Sequence, residues 1–461
     1  MLVDGAKRDR VIWPGDMGVS VLTAIATTGD VDASRNALST LFLYQQADGM
    51  LPYAGPPVSF FGGSDTYHLW ALLGVYNVAM QDATDAWLRS IWAGFARAVA
   101  ASTAKVSAST GLFVVDRNAD WARGGQGGEN CPANMLYYRV LTAGAELATR
   151  LENRTLADAW TQQAANVKAA VLTFLWDDIK GAFWDNTNNH QLYPQDGNSL
   201  AVWFNLTNAS QAKRVSDYLE SNWASFGART PEWGMNIGTF PGSLEVHAHM
   251  AAGEPERAHD LIRLQWGYML NKPESTRSTF WEGYNADGTF SYQGIYMSNA
   301  HGWATGPAAA LTAGTLGVRL GRGNDPVKYV IEPLFGELAH CQGRFANVSV
   351  AWSVNVSTLI LTVDSSARAD GLGRLALGLG RLLGRQDPQS APRASVSSVT
   401  INGVRAWHHG ETLCATGLQC GMDRSFGSFD VHAGEVVEVG GLQRQKGFSL
   451  LVAFERASPN K

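Results

Sequence analysis

Asp4-Gly-Ala-Lys7-Arg8-Asp9-Arg10-Val-Ile-Trp13-Pro-Gly-Asp16 carries three carboxylates, three basic side chains and a tryptophan within thirteen residues of a chain that is 17% charged overall. Such a concentration suits the handling of a sugar. Paired Asp and Glu residues supply the acid and base that cleave a glycosidic bond, and an indole face beside them fits the apolar side of a sugar ring. The competing reading is a solvated loop whose Asp and Arg side chains neutralise one another.

Two later stretches bear on that choice. Thr276-Arg-Ser-Thr-Phe-Trp281-Glu282-Gly sets a carboxylate directly after an indole, and Ser298-Asn-Ala-His301-Gly-Trp303-Ala-Thr-Gly-Pro brings a histidine to the start of a helical run. Alone, Glu282 reads as a surface acid or a buried ion-pair partner, and His301 as a helix N-terminal residue bonded to its own loop. In this order, the three stretches together resemble the α-L-rhamnosidases of glycoside hydrolase family 78. The first aligns without a gap on that family's Asp-Cys-Pro-Gln-Arg-Glu-Arg-Leu-Gly-Trp-Thr-Gly-Asp signature, and the second is similar to its Thr-Thr-x-Trp-Glu segment.

The resemblance implies inverting hydrolysis of a terminal α-L-rhamnoside, with no metal and no cofactor. Glu282 takes the place of the catalytic base. Asp9 falls on the family's general-acid Glu and is one methylene shorter, so its backbone must sit closer to the leaving oxygen or proton donation is weaker. Asp4 and Asp16 take the places of carboxylates that hold the bound rhamnose, Arg8 and Arg10 would keep those two ionised, and His301 contacts the sugar. As the acid, Asp9 has to hold its proton near the working pH, which calls for partial burial or a like-charged neighbour such as Asp4. Phe61-Gly-Gly-Ser-Asp65-Thr-Tyr67 and Asp120-Trp121 resemble pocket-lining loops of the family. They add Asp65 and Trp121 to Arg8, Trp13 and Trp281 as substrate-binding residues, with Trp233 ranked after them. Glu129, ending the glycine-rich Arg123–Glu129 stretch, is the reserve proton donor. Two other readings stay open: an exo-glycosidase of the same barrel type acting on a uronate or glucose, and a carbohydrate-binding remnant without turnover.

Composition agrees with a large globular enzyme. At 461 residues and 45% hydrophobic content the chain can bury more than one core. A net charge of −5 and the lack of any Lys or Arg run argue against nucleic-acid and anionic-membrane partners. No apolar stretch approaches the roughly 18 to 20 residues that span a bilayer. The partner that the resemblance implies is a rhamnose-containing glycoside or glycan. No Gly-x-Gly-x-x-Gly, Walker or Gly-x-Ser-x-Gly pattern is present. His247 and His249, at i and i+2, point to different faces of a helix and do not form a metal pair. Sequons at Asn153, Asn205, Asn208, Asn347 and Asn355 lead us to expect an extracellular glycoprotein, and Cys414 and Cys420 could close a local disulfide. Members of the resembled family carry β-domains before this motif, so the chain reads as the carboxyl-terminal part of a longer protein.

Residues 1 to 325 read as a succession of helices: 19–28, 33–46, 66–80, 86–101, 133–150, 156–175, 199–206, 211–222, 244–252, 255–270 and 302–320. With one further helix they would form the (α/α)6 barrel that the resemblance implies. From 326 to 461 the texture alternates in β-formers and predicts an antiparallel β-sandwich, with 367–393 as an inserted loop. The fold class is mainly α with a C-terminal all-β domain. Fourteen of the sixteen tryptophans lie before residue 325, with Trp352 and Trp407 after it, so the helical domain is the sugar binder.

Overall fold

The computed structural model describes residues 2–55, 63–81, 84–124, 127–290, 294–320, 327–345 and 348–354, together with 358–365 and the backbone of separate strands between 373 and 455. Phe61, Asn347, Asn355 and Cys414 lie outside the described residues.

The helices are α1 (Pro14–Thr28), α2 (Asp32–Leu43), α3 (Asp65–Gln81), α4 (Ala86–Thr103), α5 (Cys131–Arg150), α6 (Arg154–Phe174), α7 (Gln195–Trp203), α8 (Ala209–Glu220), α9 (Thr239–Ala252), α10 (Pro255–Leu261), α11 (Gly267–Asn271) and α12 (Gly306–Ala310). A π-turn at Ile262–Trp266 joins α10 to α11, and a 3₁₀ turn at Gly302–Thr305 leads into α12. Burial alternates along the chain. Helix α3 is buried on all sides from Asp65 to Tyr76, and α9 along its whole length, whereas α2 buries only Ser34, Ala37, Leu38 and Leu41. That single stripe is the i, i+3, i+4, i+7 pattern of a helix with one face in solvent. The same split separates α5 and α7 from α6 and α8.

The all-round-buried helices pack in chain order: α3 on α5, α5 on α7, α7 on α9, and α9 on the 302–305 turn. Helix α1 meets both ends of that series. A Cβ on Gly18 would lie 2.5 Å from the Trp70 ring of α3, and the Thr23 hydroxyl donates to the Thr305 carbonyl at 3.0 Å.

Helix starts follow capping chemistry. Asn130, Asn153 and Asn208 each accept a backbone N–H from their own first turn, and Asn208 with Gln211 closes a capping box. The start of α7, expected near Ser199, comes four residues earlier. Glu232, distant in sequence, accepts the Gln195 and Asp196 N–H groups at 2.8 and 2.9 Å and supplies the cap that local sequence lacks.

The chain divides into two compact units: residues 1–25, 30–252 and 257–307, and residues 26–29, 253–256 and 308–461. The second contains two antiparallel sheets. One orders Glu411–Thr412, Val404–His408, Ser398–Ile401, Val436–Gly440, Thr358–Ser365, Val348–Val354 and His340–Phe345; the other orders Cys420–Asp423, Phe426–Val431, Gly373–Leu377, Leu451–Glu455, Val327–Ile331 and Val318–Leu320. In Val348–Val354, Val348, Val350, Trp352 and Val354 are buried while Ser349 and Ser353 are exposed, the two-residue period of a strand with one wet face.

Two expectations fail here. Residues 318–320, read as a helix end, form a strand, because Gly317 turns the chain at φ +83°, where backbone of Glu332 and Pro333 would stand within 2.5 Å of any Cβ. Gly373–Leu377, inside the stretch read as a loop, pairs with strands on both sides. Its glycine and arginine hid a short alternating segment.

The approach of α1 to α3 gives a direct test. Alanine at Gly18 should lower stability by about 1–3 kcal/mol in denaturant unfolding, despite the roughly 1 kcal/mol that it adds in helix propensity. An unchanged or raised midpoint would mean that Trp70 gives way freely.

Candidate active site

Backbone bonds join the first residues of the helical unit to its last. The Ala6 N–H donates to the Ala300 carbonyl at 3.0 Å and the Gly302 N–H to the Asp4 carbonyl at 2.9 Å, so that Gly5 opposes His301. A side chain at position 5 would strike His301 Nδ1 at 2.8 Å and the Ala300 carbonyl at 2.9 Å. The Glu282 segment is clamped to the same place. Its N–H donates to the Ser298 carbonyl at 2.9 Å, the Ser298 N–H returns a bond to Oε2 at 3.0 Å, and the Trp303 indole donates to the Glu282 carbonyl at 2.9 Å.

This scaffold gathers Asp4, Arg8, Asp16, Glu282 and His301. Glu282 is 1% exposed, with Arg8 Nη2 3.5 Å from Oε1 and His301 Nδ1 3.9 Å from Oε2. His301 Nε2 lies 2.7 Å from Asp16 Oδ1. That contact puts a proton on Nε2 and leaves Nδ1 an acceptor while the ring is neutral. Nδ1 and Asp4 Oδ1 are both buried without a hydrogen-bond partner among the described residues. Each such group costs about 1–3 kcal/mol until a polar partner meets it. Burial, reinforced by Asp16, raises the Asp4 carboxyl above the usual range, against the lowering effects of the Gly5 N–H and His301.

The arginines do not act as expected. Arg8 turns to Glu282, Arg10 is exposed with φ +58°, and Asp16 takes its partner from His301. Asp9 is also exposed, and its Oδ1 accepts the Tyr296 hydroxyl at 3.0 Å. Partial burial, one of the two settings expected of it, is therefore absent. The adjoining Lys7 and Arg10 are exposed and have left-handed backbone.

Other expected site residues have structural duties. Asp65 is fully buried; Oδ1 takes Lys105 Nζ at 2.5 Å, and Oδ2 takes the N–H groups of Asp116 and Arg117 at 3.0 and 3.1 Å. With both oxygens engaged, it anchors the start of α3 instead of offering a free carboxylate. Trp281 is 0% exposed, its ring packed against Tyr268, Tyr284 and Phe290 and its indole N–H without a hydrogen-bond partner among the described residues. Glu129 accepts the Thr110 hydroxyl at 2.5 Å and the Thr187 hydroxyl at 3.0 Å, which occupies the reserve donor. His247 stacks on Trp203 while His249 bonds Ser216 and Glu245, in line with their different faces.

Trp13 and Trp121 are half-buried. Trp13 packs edge-on to Tyr53 and Tyr67, and Trp121 sits in an aromatic series running from His301 through Trp303 and Phe240 to Trp121 and Trp233, with centroid steps of 4.3, 5.6, 5.9 and 6.1 Å. Sequence reasoning missed what lies behind Trp121. Its indole donates to Asp196 Oδ2 at 3.2 Å, and Asp196 shares the buried Arg123 with Asp185. Asp120 and Glu232 adjoin the same arginine. One cation among four carboxylates is too few. Burial, with repulsion from Asp196, pushes Asp120 up to about 7 and Glu232 up to about 8. No local pattern signals the grouping, since its members come from four separate segments.

These two acids set a pH dependence. Both folded values lie above those of free carboxylates, so the folded state holds more protons than the unfolded one from about pH 4 upward. Their stabilising contribution is full below that pH and is lost as pH rises through about 7 and about 8. Denaturant midpoints should therefore fall between pH 5 and pH 9, and Asp120→Asn should flatten the lower part of the fall. A slope identical to the wild type's would refute the shifted Asp120.

The family model of the bacterial α-L-rhamnosidase six-hairpin glycosidase domain matches residues 1–310. The α-L-rhamnosidase of Dictyoglumus thermophilum is similar in fold over 97% of this chain and 46% of its own, at 16% identity and a TM-score of 0.68. The Streptomyces avermitilis α-L-rhamnosidase, solved with L-rhamnose, is similar over 94% and 38%, at 18% identity and 0.65. The GH78 family rhamnosidase of Bacillus sp. GL1 is similar over 77% and 38%, at 18% identity and 0.63. The chain thus spans less than half the length of these three proteins. No curated protein matches it. By the match over residues 1–310, the chain belongs to the bacterial α-L-rhamnosidase six-hairpin glycosidase domain family.

Proposed function

We propose that this chain hydrolyses terminal α-L-rhamnosides with inversion, in an (α/α)6 barrel followed by an antiparallel β-sandwich that begins with the strand Val318–Leu320, before the boundary at 325 that the sequence suggested. The ring reading draws support from the packing series α1, α3, α5, α7, α9 and 302–305, whose last member touches α1 again. Two antiparallel sheets support the sandwich.

The observation that carries the function is the cluster of buried Asp4, Asp16, Glu282 and His301 with the part-buried Arg8, in which four polar atoms, Asp4 Oδ1, His301 Nδ1 and Arg8 Nε and Nη1, have no hydrogen-bond partner among the described residues. A sugar is a ligand dense in hydroxyls, and each hydroxyl can both donate and accept. Asp4 Oδ1 and His301 Nδ1 can each accept from a hydroxyl, which together suit neighbouring ring hydroxyls. Glu282 takes a proton from water as it attacks the anomeric carbon; Asp9 protonates the leaving oxygen from the open side. Asp16 and Asp4 supply negative charge toward the oxocarbenium-like centre. Trp13 and Trp121 offer faces to the apolar edges of the sugar.

An aryl α-L-rhamnoside, compared with aryl glucosides and uronides, tests the substrate. Turnover of the rhamnoside alone is expected; turnover of another sugar assigns a different exo-glycosidase, and rhamnose binding in calorimetry without turnover assigns a binding remnant. Glu282→Gln should reduce kcat by about 10²-fold or more and leave KM within several-fold, because the amide keeps the shape and cannot accept the proton. Near-normal turnover would remove Glu282 from the base role. NMR of the first-formed sugar should show the inverted anomer, and a retained one would exclude the water-activation scheme.

A further inference from the structure

The segment between the Glu282 and His301 stretches includes Tyr296, a side chain with no part in the scheme so far. Its hydroxyl donates to Asp9 Oδ1 at 3.0 Å, and its ring lies 4.7 Å beneath the guanidinium carbon of Arg8. Arg8 in turn reaches Glu282 at 3.5 Å. Asp9, Tyr296, Arg8 and Glu282 therefore form one continuous set of contacts from the proposed acid to the proposed base. Asp9 Oδ2 has no partner among the described residues. Tyr296 is 45% exposed and Asp9 is exposed as well. A bond between two solvent-facing side chains adds little to stability, so a folding role accounts poorly for it.

We propose that Tyr296 is a positioning residue for proton donation. Its phenol fixes one oxygen of the short Asp9 side chain and so directs the other, Oδ2, toward the leaving oxygen. The proton moves from Oδ2 of Asp9 to the glycosidic oxygen, which also receives the electron pair of the breaking C–O bond. Glu282 meanwhile takes the proton of the attacking water. The ring holds the phenol in place by packing under Arg8. Asp9 is a methylene shorter than glutamate, and a fixed phenol restores the aim that reach alone would give.

This inference rests on the rhamnosidase reading, and the experiment separates the two. Full-length wild type, Tyr296→Phe and Asp9→Asn are assayed on 4-nitrophenyl α-L-rhamnoside, whose phenolate leaves with little help, and on methyl α-L-rhamnoside, which needs the proton. Tyr296→Phe should lower kcat on the methyl glycoside by about tenfold and on the nitrophenyl glycoside by less than about twofold, with KM within about twofold on both. Asp9→Asn should show the same bias more strongly, and the thermal midpoint of Tyr296→Phe should stay that of wild type. Equal losses on both substrates, or none, in Tyr296→Phe beside a biased Asp9→Asn overturn the role of Tyr296 alone. An unbiased Asp9→Asn overturns the acid and Tyr296 together, and a wild type inactive on both rhamnosides overturns the functional reading beneath them.

Discussion

The contact of His301 with Asp16 joins residues 285 positions apart, and the rest of the site depends on it. Glu282 is buried, and a buried carboxylate needs opposite charge or hydrogen-bond donors close by. Those groups are Arg8, from the first segment of the chain, and the Ser298 N–H, from the segment that the first one pairs with. Pull the two segments apart and Glu282 loses the arginine while Asp16 loses its imidazole. The backbone bonds between Asp4–Ala6 and Ala300–Gly302 make this arrangement stiff, and the glycine at position 5 makes the close approach possible.

The helical unit holds two buried groups of acids and manages them differently. Around Glu282, three carboxylates meet one arginine, the His301 Nε2 contact to Asp16 and the Ser298 N–H, so hydrogen-bond donors share the work with charge. Around Arg123, four carboxylates face one guanidinium, and protonation of Asp120 and Glu232 near neutral pH makes up the difference. The second arrangement serves the fold: Glu232 caps α7 and Arg123 ties Asp185 to Asp196. Through the Trp121 indole on Asp196 it also fixes a ring of the aromatic series that begins at His301. The two groups thus share a wall without sharing a charge balance.

Asp4, Arg8, Asp16, Glu282 and His301, which the family resemblance grouped from distant parts of the sequence, lie together in the fold. Direction was the part hidden from sequence. Asp65 and Trp281 sit in motifs that border the site, yet one engages both its oxygens at a helix start and the other turns into the core. A motif records where the backbone passes, whereas the face a side chain presents depends on neighbours brought from elsewhere. Tyr296 shows the reverse case: nothing in its local sequence marks it, and only the folded chain sets it beside Asp9. Helices with local caps, such as α8 behind Asn208, were legible to within a few residues, whereas α7, capped by Glu232, was misplaced. Two of the five asparagines in Asn-x-Ser/Thr triplets, Asn153 and Asn208, also serve as helix N-caps.

The depth of the two proposed catalytic carboxyls differs in a way that the reaction requires. The base acts on water, a small and constant reactant, so its surroundings can be closed; Glu282 is held on every side by Ser298, Trp303, Arg8 and His301. The acid acts on a leaving group that varies from one glycoside to the next, so it must stand where bulk can leave, and Asp9 is exposed. Exposure costs precision, because a solvent-facing side chain samples several rotamers, and each loses the alignment that proton transfer needs. An exposed acid of this kind therefore requires a partner that restrains it without burying it. Of the described side chains, Tyr296 is the one bonded to Asp9, and because its ring packs under Arg8, the restraint on the acid is set by the same arginine that faces the base.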